Sequence, residues 1–335
     1  MSQTGTAARG RVAGRVVRYA WKGALVMTVV AVGLWTATNH VAGVSWADVL
    51  SVLEHVSPGR LAVLTAVWFA GLLVYSTVLA SALPGLGMPR GLLLNLSGSA
   101  VSNVVPLGGA VGTALNWRMV TRWGHSNADF VAYCLLTNLL DVATKLVLPL
   151  VAFAGVALVE GHAPRTLWLV ATGCALTLAT AAVVIRVVGP VRARGTGRVA
   201  LVADKVREST AGIAGLFRDG WQAQVFGSIV YIAAQVLLLD LSLRTDGLQP
   251  ALVVVMTAAA LERLGTLIPI TPGGAGIAEL GAIAWLVAAG LAPVPVVAGV
   301  VLCRIFLVVL EIPVGGALLA GWAWRQRLRV SGAGA

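Results

Sequence analysis

Apolar stretches long enough to cross a lipid bilayer recur along most of this sequence. Runs of this kind occupy residues 60–83, 127–158, 167–188, 222–243 and 295–320. A helix needs about 20 apolar residues to cross the hydrocarbon core, whereas a strand of a membrane β-barrel has about ten residues that alternate apolar with polar. The runs are continuous and do not alternate, so the sequence predicts an all-α polytopic membrane protein.

The composition agrees with a location inside a bilayer. Hydrophobic residues make up 58% of the 335 residues and charged residues only 11%, whereas soluble proteins carry about 25% charged residues. The net charge of +11 comes from basic residues that cluster between the apolar runs, as in cytoplasmic loops, so we expect no nucleic-acid partner. The three cysteines lie in apolar runs without metal-ligand spacing, and we expect no metal and no cofactor.

The basic residues also predict the orientation of the chain. Residues 1–22 carry only basic charges, and the tail at 321–335 is basic as well. Residues 186–218 form the most basic loop, in which we expect an amphipathic surface helix. Cytoplasmic segments carry an excess of Lys and Arg, so both termini and this loop are predicted to be cytoplasmic. With a first span at 23–39, this orientation gives about six full spans in a single membrane domain, residues 23–320, of a multi-pass protein of the bacterial inner membrane.

Proline and glycine interrupt two further apolar stretches. The segment PLGGAVG (106–112) breaks residues 91–117, and PITPGGAGIAELG (269–281) breaks residues 251–290. Each stretch is too short on either side of its break to cross a bilayer, and its two flanks carry the same charge character. We therefore predict two re-entrant hairpins, the first entering from the cytoplasm and the second from outside.

The two hairpins fall at matching places in two halves of the chain. Each half runs span, broken hairpin, span, over about residues 60–158 and 222–320, and the two predicted orientations are opposite. An inverted repeat with broken helices is typical of secondary transporters, whose substrate site lies where the breaks meet. Backbone groups freed at a break are tolerated at membrane depth only inside protein or beside a wet cavity.

Charged residues within apolar segments are the candidates for substrate contact, because such charges are costly and mark functional sites. The candidate substrate-binding residues are Arg118, Asp141, Glu262, Arg263, Glu279 and Arg304. The candidate helix-break residues are Asn103, Pro106, Gly108, Gly109, Gly112, Pro269, Pro272, Gly273, Gly274 and Gly276.

Plainer interpretations compete with these roles. Glu279 falls in the first turn of a helix that restarts near Gly276, where a carboxylate caps the helix. Asp141 and Lys145 form an i,i+4 pair in which the two charges neutralise each other. Arg118 lies near the predicted boundary between membrane and water, to which its long side chain can extend. Arg304 and Glu311 are expected to share one face of the last span.

No catalytic motif stands in a suitable context. The four histidines lie in predicted loops or at the ends of spans, and no HExxH, GxSxG or GxGxxG motif accompanies them. We therefore expect a protein that is not an enzyme.

The segments NVVPLGGAVGTALNWR (103–118) and PITPGGAGIAELG resemble the two signature segments of the lysylphosphatidylglycerol synthase transmembrane family, also called the flippase-like domain family. The resemblance covers roughly residues 20–325. In that family, the membrane domain of multiple peptide resistance factor moves aminoacylated phosphatidylglycerol between leaflets. The positions matching the two motifs are Pro106, Gly108, Gly109, Gly112 and Arg118, then Pro272, Gly273, Gly274, Gly276 and Glu279.

The sequence departs from this family in two respects. The chain ends shortly after its last span, so we expect the membrane part alone, without the soluble synthase domain that aminoacylates the lipid. The tripeptide Asn116-Trp117-Arg118 also replaces the acid-containing pattern that often follows the first glycine motif. Both departures bear on which headgroup the protein handles.

The residues and the resemblance together predict a flippase that moves a phospholipid or a lipid-linked headgroup between leaflets. Arginines would bind phosphate, and carboxylates would balance them. A small-solute or ion secondary transporter, an intramembrane lipid-modifying transferase and a non-catalytic scaffold subunit remain as alternatives. The expected partners are membrane phospholipids, with a homo-oligomer or a separately encoded lipid-modifying enzyme left open.

Overall fold

A computed structural model describes residues 43–105, 108–161, 164–188, 198–267 and 274–332. Across these ranges the regular elements are all helices: α1 (Trp46–Glu54), α2 (Pro58–Ala82), α3 (Met88–Val104), α4 (Gly108–Arg122), α5 (Asn127–Glu160), α6 (Arg165–Val188), α7 (Arg198–Leu243), α8 (Leu252–Gly265), α9 (Ile277–Ala288), α10 (Pro293–Arg304) and α11 (Glu311–Gly332). A short 3-10 helix, Arg244–Asp246, follows α7, and a π-helical turn, Ile305–Val309, joins α10 to α11. The predicted all-α class is confirmed.

Five helical segments of the described chain are long and apolar enough to cross a membrane. They are Pro58–Ala82, Asn127–Val159, Arg165–Val183, Gly212–Leu243 and Pro293–Gln326. All five coincide with predicted spans, and the chain is a multi-pass membrane protein. The predicted first span at 23–39 and the basic segment 1–22 lie outside the described residues.

Capping residues fix where the long helices begin and end. The Ser57 side chain accepts a hydrogen bond from the Arg60 N–H, and Pro58 occupies the first turn of α2, where its missing N–H costs nothing. The Ser126 and Asp129 side chains form a reciprocal capping box at the start of α5, and Gly161 ends that helix in a left-handed conformation that glycine adopts without strain.

The most basic predicted loop is partly helical. Residues from Arg198 onward belong to α7, a single helix of 46 residues that continues to Leu243. The predicted span at 222–243 is therefore the second half of this helix, and the basic half extends from it as a continuous rod.

Two short helices that pack against each other flank each predicted break, although the first break is shorter than predicted because α4 already begins at Gly108. The first pair is α3 and α4, with 17 and 15 residues, and the second is α8 and α9, with 14 and 12 residues. All four are shorter than the about 20 residues that cross a bilayer. Among the break residues, Pro106, Pro269, Pro272 and Gly273 lie outside the described part of the chain.

Glycine lets the two helices of each pair approach closely. A Cβ at Gly112 of α4 would lie 2.8 Å from the Gly98 carbonyl oxygen of α3, and a Cβ at Gly265 of α8 would lie 2.7 Å from the Ala278 Cα of α9. Gly274 has a φ of +71° and lies against Thr266. Only glycine suits this position, because a side chain would collide with Thr266 and would disfavour the left-handed backbone. The glycines at the breaks therefore set the spacing of the paired helices.

The order of long helix, short pair, long helix occurs twice, as α2 to α5 and again as α7 to α11. The first helices of the two halves, α2 and α7, pack along each other. The first short helix of each half packs against the last helix of the other half, α3 on α11 and α8 on α5. Both short pairs are thus held in the middle of the bundle.

Candidate functional site

A polar chamber of about 550 Å³ lies inside this apolar bundle. Its wall is built from both halves, by side chains of α2 to α5, of α7 and α8, and of the last span from Arg304 to Glu311. Ligand sites in proteins occupy about 300–1,000 Å³, so the chamber has the size of a site for a small molecule or a lipid headgroup.

Arg304 at the end of α10 joins the two helices of the second pair. Its Nη1 lies 3.1 Å from Oε1 of Glu262 on α8, and its Nε lies 2.6 Å from Oε1 of Glu279 on α9. The three side chains are only 8–13% exposed. A planar guanidinium can bind two carboxylates at once, so this cluster compensates three charges that would otherwise be costly at membrane depth.

Glu279 uses its two carboxylate oxygens for different purposes. One oxygen faces Arg304, and the other, Oε2, accepts a hydrogen bond of 2.6 Å from the Gly276 N–H. Gly276 has a φ of 93° and stands at the N-cap of α9. The helix-capping and charge-pairing interpretations of Glu279 therefore both describe its contacts.

Arg263, next to Glu262 in sequence, points to different helices. Its Nη2 lies 3.5 Å from Oδ1 of Asp141 on α5 and donates a 3.1 Å hydrogen bond to the Thr144 hydroxyl. Its Nη1 donates a hydrogen bond to the Gln235 side chain of α7. Asp141 also pairs with Lys145 at 2.7 Å, so it faces two cations rather than one.

Glu311, the first residue of α11, is a further buried carboxylate in the chamber wall. Ser99 of α3 also lines the chamber, and α11 packs against α3. Glu311 was not among the predicted site residues because an acid near the end of a long span also fits an interfacial position.

The first helix pair and α5 also contribute uncharged polar groups to the chamber wall. These are amides and hydroxyls: Asn95, Ser99, Ser102, Asn103, Thr113, Asn116, Thr137 and Asn138. The chamber wall therefore combines the ion pairs of α5, α8 and the last span with uncharged amides and hydroxyls. Among the uncharged groups, Ser102, Thr113, Thr137 and Asn138 already donate to backbone carbonyl groups, so they mainly offer acceptors to a ligand.

Two tyrosines line the chamber where α2 and α7 meet. The rings of Tyr75 and Tyr231 stack with centroids 4.5 Å apart, and both residues line the chamber. Like Gln235, they were missed by the sequence analysis. Their polar groups within predicted spans could have marked them as candidates for the site.

The chamber reaches the outer surface of the bundle at α5. Asn138 lines the chamber, and residues three, four or seven apart lie on one face of a helix. Val131, Leu135 and Val142 share that face with Asn138 and are 48%, 46% and 39% exposed. An exposed apolar face on a membrane helix contacts lipid, so the polar chamber adjoins the lipid-facing surface here.

The structure brings most of the predicted binding residues together. Asp141, Glu262, Arg263 and Arg304 line the chamber, and Glu279 contacts it through Arg304. Arg118 is exposed on α4 and does not line the chamber. Of the break residues, Asn103, Gly109 and Gly112 lie in the wall, while Gly108 is buried against the Ser102 backbone. Over the described ranges, no three His, Cys, Asp or Glu side chains stand close enough to hold a metal ion.

Comparison with known proteins gives one family match. The model of a family described as the lysylphosphatidylglycerol synthase TM region matches residues 20–315, a range that contains both helix pairs and the chamber. No curated protein matches the chain.

Proposed function

The chain belongs to the lysylphosphatidylglycerol synthase TM region family, and from that membership and the chamber we propose that it moves a lipid between the leaflets of the bacterial inner membrane. In this proposal the polar headgroup crosses through the chamber, while the acyl chains stay in the bilayer. The protein transports and carries out no chemical step of its own. Both termini lie in the cytoplasm.

The observation that carries this proposal is the position of Asn138. It belongs to the chamber wall and also to the face of α5 that carries exposed Leu135 and Val142. A soluble solute needs a chamber that opens to water, whereas a lipid needs one that adjoins the hydrocarbon, because its tails cannot leave the apolar phase. This juxtaposition favours a lipid over a small solute or an ion.

We further propose that the two halves form an inverted repeat that opens the chamber to one leaflet at a time. The mutual packing of α2 with α7, of α3 with α11 and of α8 with α5 is what a two-fold relation between halves would produce. Transporters with such repeats rock one unit against the other around a site at the breaks. The ion pairs of Arg304 would keep α8 and α9 moving as one unit.

The test is transport of a fluorescent lipid in proteoliposomes, measured by the access of a membrane-impermeant quencher to the outer leaflet over time. Glu262→Gln and Arg304→Gln remove groups of the chamber wall, and Arg218→Gln removes a cation whose side chain is 84% exposed. We expect transport by the wild type and by Arg218→Gln, and a rate at least about tenfold lower in both chamber variants, equivalent to 1.4 kcal/mol in the barrier.

Protein content and orientation in the vesicles must be matched before rates are compared. Equal transport rates in the wild type and all three variants would contradict a role of the chamber in transport. A wild-type rate no higher than that of protein-free vesicles, with a range of lipid headgroups, would sink the flippase proposal itself.

A further inference from the structure

Glu311 differs from the other carboxylates of the chamber because it takes part in no ion pair of the described chain. Three other carboxylates lie in or beside the chamber wall, and each contacts an arginine or a lysine: Asp141, Glu262 and Glu279. Glu311 lines the same chamber and is only 7% exposed. A buried carboxylate without a cation is costly in its ionised form, so taking up a proton stabilises it.

The charges in and beside the chamber wall balance only if one carboxylate is neutral. Three cations, Lys145, Arg263 and Arg304, accompany four carboxylates when Glu311 is counted with the other three. If all of these groups are ionised, the described chamber carries one negative charge in excess, and a single proton removes it. Because Glu311 is the carboxylate without a cation, we assign that proton to Glu311.

The surroundings of Glu311 leave it as the group that can change its charge near neutral pH. The adjacent helix α3 and its partner α4 contribute no titratable side chain to the chamber wall. The other helices contribute phenols, a thiol and the paired charges: Tyr75 of α2, Tyr133, Cys134, Asp141 and Lys145 of α5, Tyr231 of α7, Glu262 and Arg263 of α8, and Arg304. Phenols and thiols are ordinarily neutral below about pH 8, and a change of charge in any other group would break an ion pair.

Glu311 also lies where the two halves of the bundle meet. It begins α11, which packs against α3 of the first half, and it lines a second, small cavity between α2 and α7 together with Trp68 and Gln235. Ionised Glu311 needs water around it and favours a chamber that is open to water, whereas protonated Glu311 tolerates a closed chamber. A proton therefore binds the two conformations with different affinity and shifts the equilibrium between them.

We infer that Glu311 is a proton-binding site, and that its protonation and deprotonation couple lipid movement to the proton gradient across the membrane. The proton site itself stands on the chamber alone, whereas the coupling rests on the proposed function. In each cycle a proton enters from water on one side, forms the O–H bond of the Glu311 carboxyl group, and leaves to water on the other side after the chamber has changed its opening.

Infrared difference spectroscopy of the purified full chain in mild detergent tests proton binding without requiring transport. A protonated carboxyl group has a C=O stretching band that a carboxylate lacks, and exposed carboxylates stay ionised between about pH 6 and about pH 8.5. We expect the wild type to lose such a band as the pH rises through this range, and Glu311→Gln to show no such loss. Glu54→Gln, which removes an exposed carboxylate, is the control and should behave as the wild type does. Glu311→Asp should keep the change but move it to a different pH.

Lipid movement in proteoliposomes tests the coupling, with equal potassium on both sides and valinomycin to abolish the membrane potential. If one proton moves with each lipid, a gradient of about one pH unit shifts the steady-state distribution of the fluorescent lipid between the leaflets by up to about tenfold. We expect this shift in the wild type and in Glu54→Gln. Glu311→Asp, which keeps a titratable group, should retain a response to the gradient, and Glu311→Gln should show none.

An infrared spectrum of the wild type that does not change over this range, or the same change in Glu311→Gln, would overturn the proton site. A carboxylate that awaits a cationic headgroup would give the first of these results, because it stays ionised in the absence of lipid. A leaflet distribution in the wild type that does not respond to the gradient would overturn the coupling. Titration of Glu311 in a protein that moves no lipid would retain the proton site and contradict the flippase proposal, and lipid movement without this titration would do the reverse.

Discussion

The Arg304 guanidinium and the Glu262 carboxylate form a 3.1 Å ion pair between the last span and the second short-helix pair. The two residues lie 42 positions apart in sequence, and both are nearly buried. Because Glu279 completes the cluster, one arginine holds α8, α9 and α10 in a fixed relation. Several expected properties follow from this contact and its neighbours.

Removing Arg304 should destabilise the protein more than removing either of its carboxylate partners. Arg304→Gln leaves two buried carboxylates without a cation, whereas Glu262→Gln still leaves Glu279 beside Arg304. Breaking a buried ion pair costs about 3–5 kcal/mol. The midpoints of thermal unfolding in detergent rank the stabilities of the variants. The double variant Glu262→Gln/Arg304→Gln should be more stable than Arg304→Gln alone. A midpoint for Arg304→Gln equal to that of the wild type would contradict the cluster as described.

Gly315→Ala should weaken the packing of α11 on α3. A Cβ at Gly315 would lie 2.0 Å from the Leu96 carbonyl oxygen, while a Cβ at the adjacent Gly316 would have nothing within 4 Å. Overpacking of this kind costs about 1–3 kcal/mol, whereas alanine for glycine in an open helical position favours the helix by up to about 1 kcal/mol. Gly316→Ala is therefore the matched control, and unfolding midpoints that change equally would contradict the close approach.

Asp141→Asn should reduce lipid transport more than Lys145→Gln. Asp141 contacts both Lys145 and Arg263, so its loss leaves two cations uncompensated near the chamber. Lys145→Gln leaves Asp141 with Arg263 as its partner. The comparison is made by the proteoliposome assay at equal protein content, and a larger effect of Lys145→Gln would reverse the assignment of Asp141 as the shared anion.

Asn138→Cys should react with a water-soluble maleimide, whereas Val142→Cys, four residues further along the same exposed face, should not. The reagent adds to the thiolate, which forms beside water and not in contact with hydrocarbon. Both variants are made in a background where Cys134, Cys174 and Cys303 are replaced by alanine. Equal labelling of the two variants, or labelling of neither, would contradict a polar chamber that reaches this face.

The sequence was sufficient for the spans and for the two breaks because both depend on local patterns. Continuous apolar runs predict α2 and α5 to within a few residues, and each proline-glycine segment marks where one short helix ends and the next begins. The first break is shorter than predicted, because α4 already begins at Gly108. The basic segment 186–218 was predicted to contain a surface helix, whereas α7 runs as a single helix from Arg198 to Leu243, because no proline or glycine-rich turn separates that segment from the span.

The partners of the buried charges could not be read in the same way. Glu262 and Arg263 are adjacent, yet one contacts α9 and α10 through Arg304 and the other contacts α5 and α7. Which helix a side chain meets depends on packing across the two halves. Arg118 has the same side chain as Arg304 but lies on the exposed side of α4. The sequence of a short amphipathic segment does not reveal which of its faces turns toward the interior, so this difference could not be predicted.

The π-helical turn at Ile305–Val309 sets the rotational phase of the last span. In an uninterrupted α-helix, Arg304 and Glu311 would project in nearly the same direction, as two residues seven apart do. Adding or removing one residue in a helical turn rotates the side chains that follow by about 100° about the helix axis. A π-helical turn adds one residue in this way without interrupting the helix. Arg304 thus meets the carboxylates of α8 and α9, while Glu311 lies one turn before Gly315, which packs against Leu96 of α3. The last span therefore places Arg304 toward the second short-helix pair and Glu311 toward the first. Deleting one residue between them would place both side chains on the same face of the helix.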